Sequence, residues 1–140
     1  MSLYNTFASD EKSEKDGIIL DLGLNSREEP IEIRIRRAGG ANTRFAKVFE
    51  AKSKPYRRLM EIPGALDEKT NMRVMREVYA DAVVVGWTGV QDKDGNDMEF
   101  NRENVLKLFT DLPNLFRLVI KESQNEALFR ADIRERESGN

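Results

Sequence analysis

Apolar residues recur along this chain with two different periods, and the periods divide it into elements. Gly17-Ile18-Ile19-Leu20-Asp21-Leu22 is a short apolar run closed by Gly23 and predicts a strand. Residues 31–36 alternate strictly: Ile31, Ile33 and Ile35 share one face, and Glu32, Arg34 and Arg36 share the other. A period of two is that of a half-buried strand. The turn-rich stretch from Asn25 to Pro30 lets the two strands pair. A lone hairpin is marginal in water, so this one is expected to pack on helices.

Beyond Ala38-Gly39-Gly40-Ala41 the period becomes helical. Asn42 or Thr43 is placed to cap a helix carrying Phe45, Val48, Phe49 and Lys52, with Tyr56, Leu59 and Met60 continuing the spacing. Pro55 interrupts that pattern near Lys54, and Ile62-Pro63-Gly64 stops it. Asp67 is expected to cap a helix with Met72, Met75, Val78, Tyr79, Ala82 and Val83 on one face. The β-branched run Val83-Val84-Val85 allows a switch to strand before Gly86 and Trp87. Residues 88–97 read as a loop, or as two hairpin arms around Asp94-Gly95. Asn101 caps a short helix ending near Thr110, with Phe100 placed to staple against Val105. Pro113 opens a last helix with Leu115, Phe116, Val119, Ile120, Ala127, Leu128 and Ala131 on one face, fading into Arg134-Glu135-Arg136-Glu137.

The expected fold is therefore α+β and predominantly α-helical, with a short N-terminal β-hairpin or small sheet on about four helices. Residues 1–16, polar with scattered Leu3, Tyr4 and Phe7, read as a mobile arm. Residues 17–136 form one domain, and residues 137–140 a frayed end. There is no internal repeat.

Composition narrows the chemistry. The 140 residues include no Cys and no His. That removes disulfides, thiolate and imidazole metal sites, and catalysis by Ser-His-Asp or Cys-His groups. Gly39-Gly40 lacks the spacing of a phosphate-binding loop. With 25 acidic residues and nothing to select a pair, carboxylates read as solvated faces; the expectation is no enzyme and no cofactor. No apolar run reaches the ~18 residues of a membrane span. The N-terminus lacks the apolar core of a secretory signal, so the expected location is the cytoplasm where the chain is made.

Net charge is only −2, but it is segregated. Between Arg34 and Arg58 lie nine basic residues and one acid, Glu50, while both flanking regions are acidic. Such polarity either neutralises itself within the fold or presents a basic face to an acidic partner. The basic stretch includes Phe45, Phe49 and Tyr56. Their helical spacing marks them as core, and with the pI near 5.4 this argues against a nucleic-acid binder.

The sharpest metal candidate is the loop at 92–103. Asp92, Asp94, Asn96 and Glu103 fall at positions 1, 3, 5 and 12 of a calcium-binding loop. Asp97 stands where that loop needs Gly, and Glu99 where it takes an apolar residue, so a plain turn accounts for the residues equally well. Candidate partner contacts are Tyr56, Arg57 and Arg58 beside the Pro55 break, and Trp87, either a core anchor or an interface residue.

Four stretches then carry a resemblance. They are Lys54-Pro55-Tyr56-Arg57-Arg58 with Pro63-Gly64-Ala65-Leu66; residues 79–90, Tyr-Ala-Asp-Ala-Val-Val-Val-Gly-Trp-Thr-Gly-Val; Asp92-Lys93-Asp94-Gly95-Asn96 with Phe100; and residues 108–116, Leu-Phe-Thr-Asp-Leu-Pro-Asn-Leu-Phe. In order and spacing they resemble tail assembly chaperones of siphophages and related prophages. The resemblance implies a protein that binds the helical tape measure protein, keeps it soluble, recruits tail tube subunits and leaves before the virion is complete. It implies action in the host bacterial cytoplasm and self-association in multi-copy assemblies. The alternative is a structural neck or tail protein that stays in the particle.

Overall fold

The computed structural model describes residues 2–131. It is a predominantly helical α+β fold, as the periods predict. The elements run α1 (Leu3–Phe7), α2 (Glu11–Asp16), β1 (Ile18–Leu24), β2 (Pro30–Ile35), α3 (Thr43–Ser53), α4 (Arg57–Met60), α5 (Glu68–Ala82), β3 (Val84–Thr88), α6 (Arg102–Asp111) and α7 (Pro113–Ser123).

The three strands form one antiparallel sheet in the order β1-β2-β3. The alternation in β2 governs it. Ile33 and Ile35 are buried, pairing with Leu20 and Ile18 on one side and with Trp87 and Val84 on the other. That face packs on the helices. Tyr79 of α5 meets Phe116 of α7 edge-on at 5.5 Å, and Phe116 stacks on Phe109 of α6 at 4.9 Å. Phe45 of α3 closes on the other edge of Tyr79 at 5.8 Å. Tyr79, Phe109 and Phe116, with Val78, Val105 and Val119, lie in the buried core, and the half-buried Phe45 packs against it.

The β-branched run after α5 does become a strand, so the sheet gains a third member from the middle of the chain. Helices α5, α6 and α7 start where the sequence marks them. The Asp67 carboxylate accepts from Thr70 N–H, the Asn101 amide oxygen accepts from Asn104 N–H, and Pro113 sits in the first turn of α7. Pro55 opens a 3-10 turn, Lys54–Tyr56, that separates α3 from α4. Asn42 holds the cap position of α3 but makes no side-chain cap bond; its buried amide instead donates to the Arg37 and Ala82 carbonyls, at 2.8 and 2.9 Å.

One expectation is corrected. The last helix is not continuous: α7 ends at Ser123 and a separate 3-10 turn follows at Glu126–Phe129. Asn125 causes the restart by accepting from Ala127 N–H, and the break lets Phe129 reach full burial. The described residues of 1–16, read as an arm, carry α1 and α2, and the stretch from Ala8 through α2 is tied to the domain. Glu14 of α2 is 2% exposed, pairs with Arg37 and accepts from Ala41 N–H. Ser9 bridges to Arg130, and the Asp10 N–H donates to the Phe129 carbonyl. The fading helix at 134–137 and the frayed end at 137–140 lie outside the described residues.

Candidate protein-binding surfaces

Part of the basic stretch is answered within the fold. Glu77 and Asp81, one turn apart on α5, gather Lys52, Arg73 and Arg102, and Arg44 donates to the Asp81 carbonyl. Arg102 grips the Asp81 carboxylate with two nitrogens, at 2.6 and 3.2 Å. These contacts lock α3, α5 and α6 together rather than opening a site to a ligand. Arg37 is taken by Glu14.

The sequence candidates separate into two places. Tyr56 is half-buried: its hydroxyl accepts from Arg73 at 2.7 Å, and the Arg73 guanidinium lies 6.0 Å from its ring centre. Arg57 and Arg58 are exposed. Arg57 has only a 3.8 Å contact with the exposed Glu50, and Arg58 has no ionic partner among the described residues. Next to them the chain displays apolar side chains: Leu59 is 43% exposed and Ile62 58%. Together with Met60, Pro63 and Leu66 they line an open groove of about 460 Å³ against the start of α5. Helical spacing alone placed Leu59 and Met60 on an apolar face. Only the structure shows that, among the described residues, nothing lies over this face, because α4 is one turn long and no described element follows it across.

Trp87 belongs elsewhere. It flanks the core from β3, its indole N–H donates to the Met98 carbonyl at 2.8 Å, and Phe100 meets it edge-on at 5.2 Å. Trp87, Met98 and Phe100 line a second open groove, of about 500 Å³, whose walls carry Glu29, Glu32, Asp97 and Glu99.

The candidate calcium loop is built as a turn. The Asp92 carboxylate accepts from the amides of Asp94 and Asn96, at 2.9 and 3.0 Å, and Gly95 takes φ +82°. Gln91 bridges to Asp97, and Asp97 pairs with Arg27. Among the described residues, no three acidic side chains stand together as a ligand set. Burial raises the Tyr79 hydroxyl above its ordinary pKa, holding it as a neutral core group.

Among the described residues the molecule is thus helix-rich, with grooves open to solvent beside Leu59–Leu66 and beside Trp87. Residues 40–140 match the family described as YdaY prophage protein, and the chain belongs to that family, so it is a protein of prophage origin. No curated protein and no solved structure matches it. The matched span holds every helix from α3 to α7 and the Leu59–Leu66 groove, while β1 and β2 precede it. Among the described residues, no helix is long and apolar enough to cross a membrane.

Proposed function

We propose that this protein is a phage tail assembly chaperone: it acts by binding and not by catalysis, covers the tape measure protein in the host cytoplasm, promotes tail tube assembly and is absent from the mature virion. The observation that carries this reading is the apolar groove of Leu59, Met60, Ile62 and Leu66, open to solvent beside Arg57 and Arg58 and inside the span shared with a prophage family. A long helical partner exposes apolar stripes that aggregate unless covered, and a shallow apolar groove takes such a stripe side-on. Many copies along one partner gain avidity without any strong single contact.

The test is co-expression with the tape measure protein encoded nearby, followed by affinity capture and size-exclusion chromatography. The tape measure protein is expected to become soluble and to elute with many copies of this chain. Leu59→Ser with Ile62→Ser is expected to leave it insoluble while the variant itself stays folded. If the wild-type chain runs alone and is found in purified particles, a structural neck or tail protein replaces this reading.

A further inference from the structure

Given the binding role proposed above, on which this rests, we infer that the helix taken by the Leu59–Leu66 groove carries an acidic flank beside its apolar stripe, read by Lys54, Arg57 and Arg58. These cations fall at i, i+3 and i+4 across the 3-10 turn and α4, so they share one side of the chain as it reaches the groove. All three are exposed. Lys54 and Arg58 have no ionic partner among the described residues, and Arg57 has only Glu50, at 3.8 Å. Like charges at this spacing repel each other, and an incoming carboxylate relieves them. Glu61, one turn on, is exposed, does not line the groove and pairs with neither arginine.

The neighbouring apolar surface decides what kind of acid fits. Arg58 directly precedes Leu59, and Leu59 and Met60, in the same turn, line the groove. A partner that covers these side chains therefore brings its own edge up to the cations. A nucleic-acid backbone has no apolar stripe to lay on Leu59 and Ile62, whereas an amphipathic helix has both a stripe and a flank. The wall contributed by α5 differs in charge: Glu68, in its first turn, lines the groove. Acid on that side of the partner would meet like charge. The acidic residues therefore run along one flank only, the one lying against α4.

The experiment is fluorescence anisotropy on the full chain with three labelled helical peptides of about 18 residues. They share one leucine stripe and carry Glu, Gln or Lys along one flank. At about 50 mM salt the Glu peptide is expected to bind about tenfold tighter than the Gln peptide, the combined effect of three exposed ion pairs, and the Lys peptide more weakly than both. At about 500 mM salt the three should converge, since exposed pairs are screened. Arg57→Glu with Arg58→Glu should reverse the order, and Leu59→Ser with Ile62→Ser should weaken all three. Arg57→Ser with Arg58→Ser, expected to remove most of the preference, replaces the reversal if circular dichroism shows misfolding. Equal binding of the three peptides by the wild-type chain overturns the inference and leaves the groove as a helix site. A preference for the Glu peptide that survives loss of both arginines overturns it too. No binding of any peptide up to about 1 mM overturns the groove's role and the inference with it. The chaperone reading is judged separately, by solubility of the tape measure protein.

Discussion

At the scale of single residues, the tightest constraint in the fold falls on Gly89, just after β3. It takes φ +73°, and a side-chain carbon added there would stand 2.1 Å from the Pro30 carbonyl oxygen. The close approach is what lets β3 run beside β2 and leave it at once for the 91–97 turn. Gly89→Ala is expected to cost about 3 kcal/mol or more in chemical denaturation, combining backbone strain with a clash against main chain. Gly64 provides the control. It also has positive φ, +78°, but nothing lies within 4 Å, so Gly64→Ala is expected to cost only about 1 kcal/mol. Equal losses at the two positions would mean that strain alone, and not the contact with Pro30, constrains Gly89. Residue identity announces neither case: both are glycines in turns, and the difference lies in which strand passes behind them.

At the scale of elements, local signals were legible and long-range ones were not. The period-two run at 31–36 gave β2, and Asp67, Asn101 and Pro113 gave the starts of α5, α6 and α7, since each acts within one helical turn. The break after Ser123 was missed because Ala127 and Leu128 keep the helical spacing, while the interruption depends on Asn125 and on a buried seat for Phe129. Glu14 carried no signal at all: its partner Arg37 is 23 residues away, and in sequence it is one acid among 25. Of the candidate surface, Arg57 and Arg58 were legible as charges beside a helix break; the open state of Leu59 and Ile62 was not. The Glu14–Arg37 pair now makes α2 testable as a unit. Removing one member of a buried pair leaves the other desolvated without compensation. Glu14→Ala is expected to destabilise the fold by about 3 kcal/mol, near the lower end of such changes because Arg37 is still partly wetted. Hydrogen exchange should show residues 2–16 opening well before the sheet. If those amides keep their protection, the bonds from Ser9 and Asp10 hold the segment without the ion pair.

At the scale of the whole molecule, the segregated charge of the sequence is resolved partly inward. Glu77 and Asp81 draw cations of α3, α5 and α6 onto one side of α5, leaving a small exposed set near α4 and an acidic set near Trp87. The last described residue also returns to the segment between α1 and α2. Ala131 N–H donates to the Ala8 carbonyl at 3.0 Å, next to the bridge between Ser9 and Arg130. From residue 8 to residue 131 the backbone is therefore almost a closed circuit, and the start and finish of that stretch can be reassigned. A circular permutant of residues 8–131, joining Ala131 to Ala8 through a short glycine linker and opening at Gly64, cuts only an exposed loop whose backbone bonds are local. It is expected to unfold cooperatively, within about 2 kcal/mol of the parent in chemical denaturation. Because the cut passes through the Leu59–Leu66 groove, such a rewired chain keeps the fold and loses only that surface, which separates stability from recognition in a single molecule.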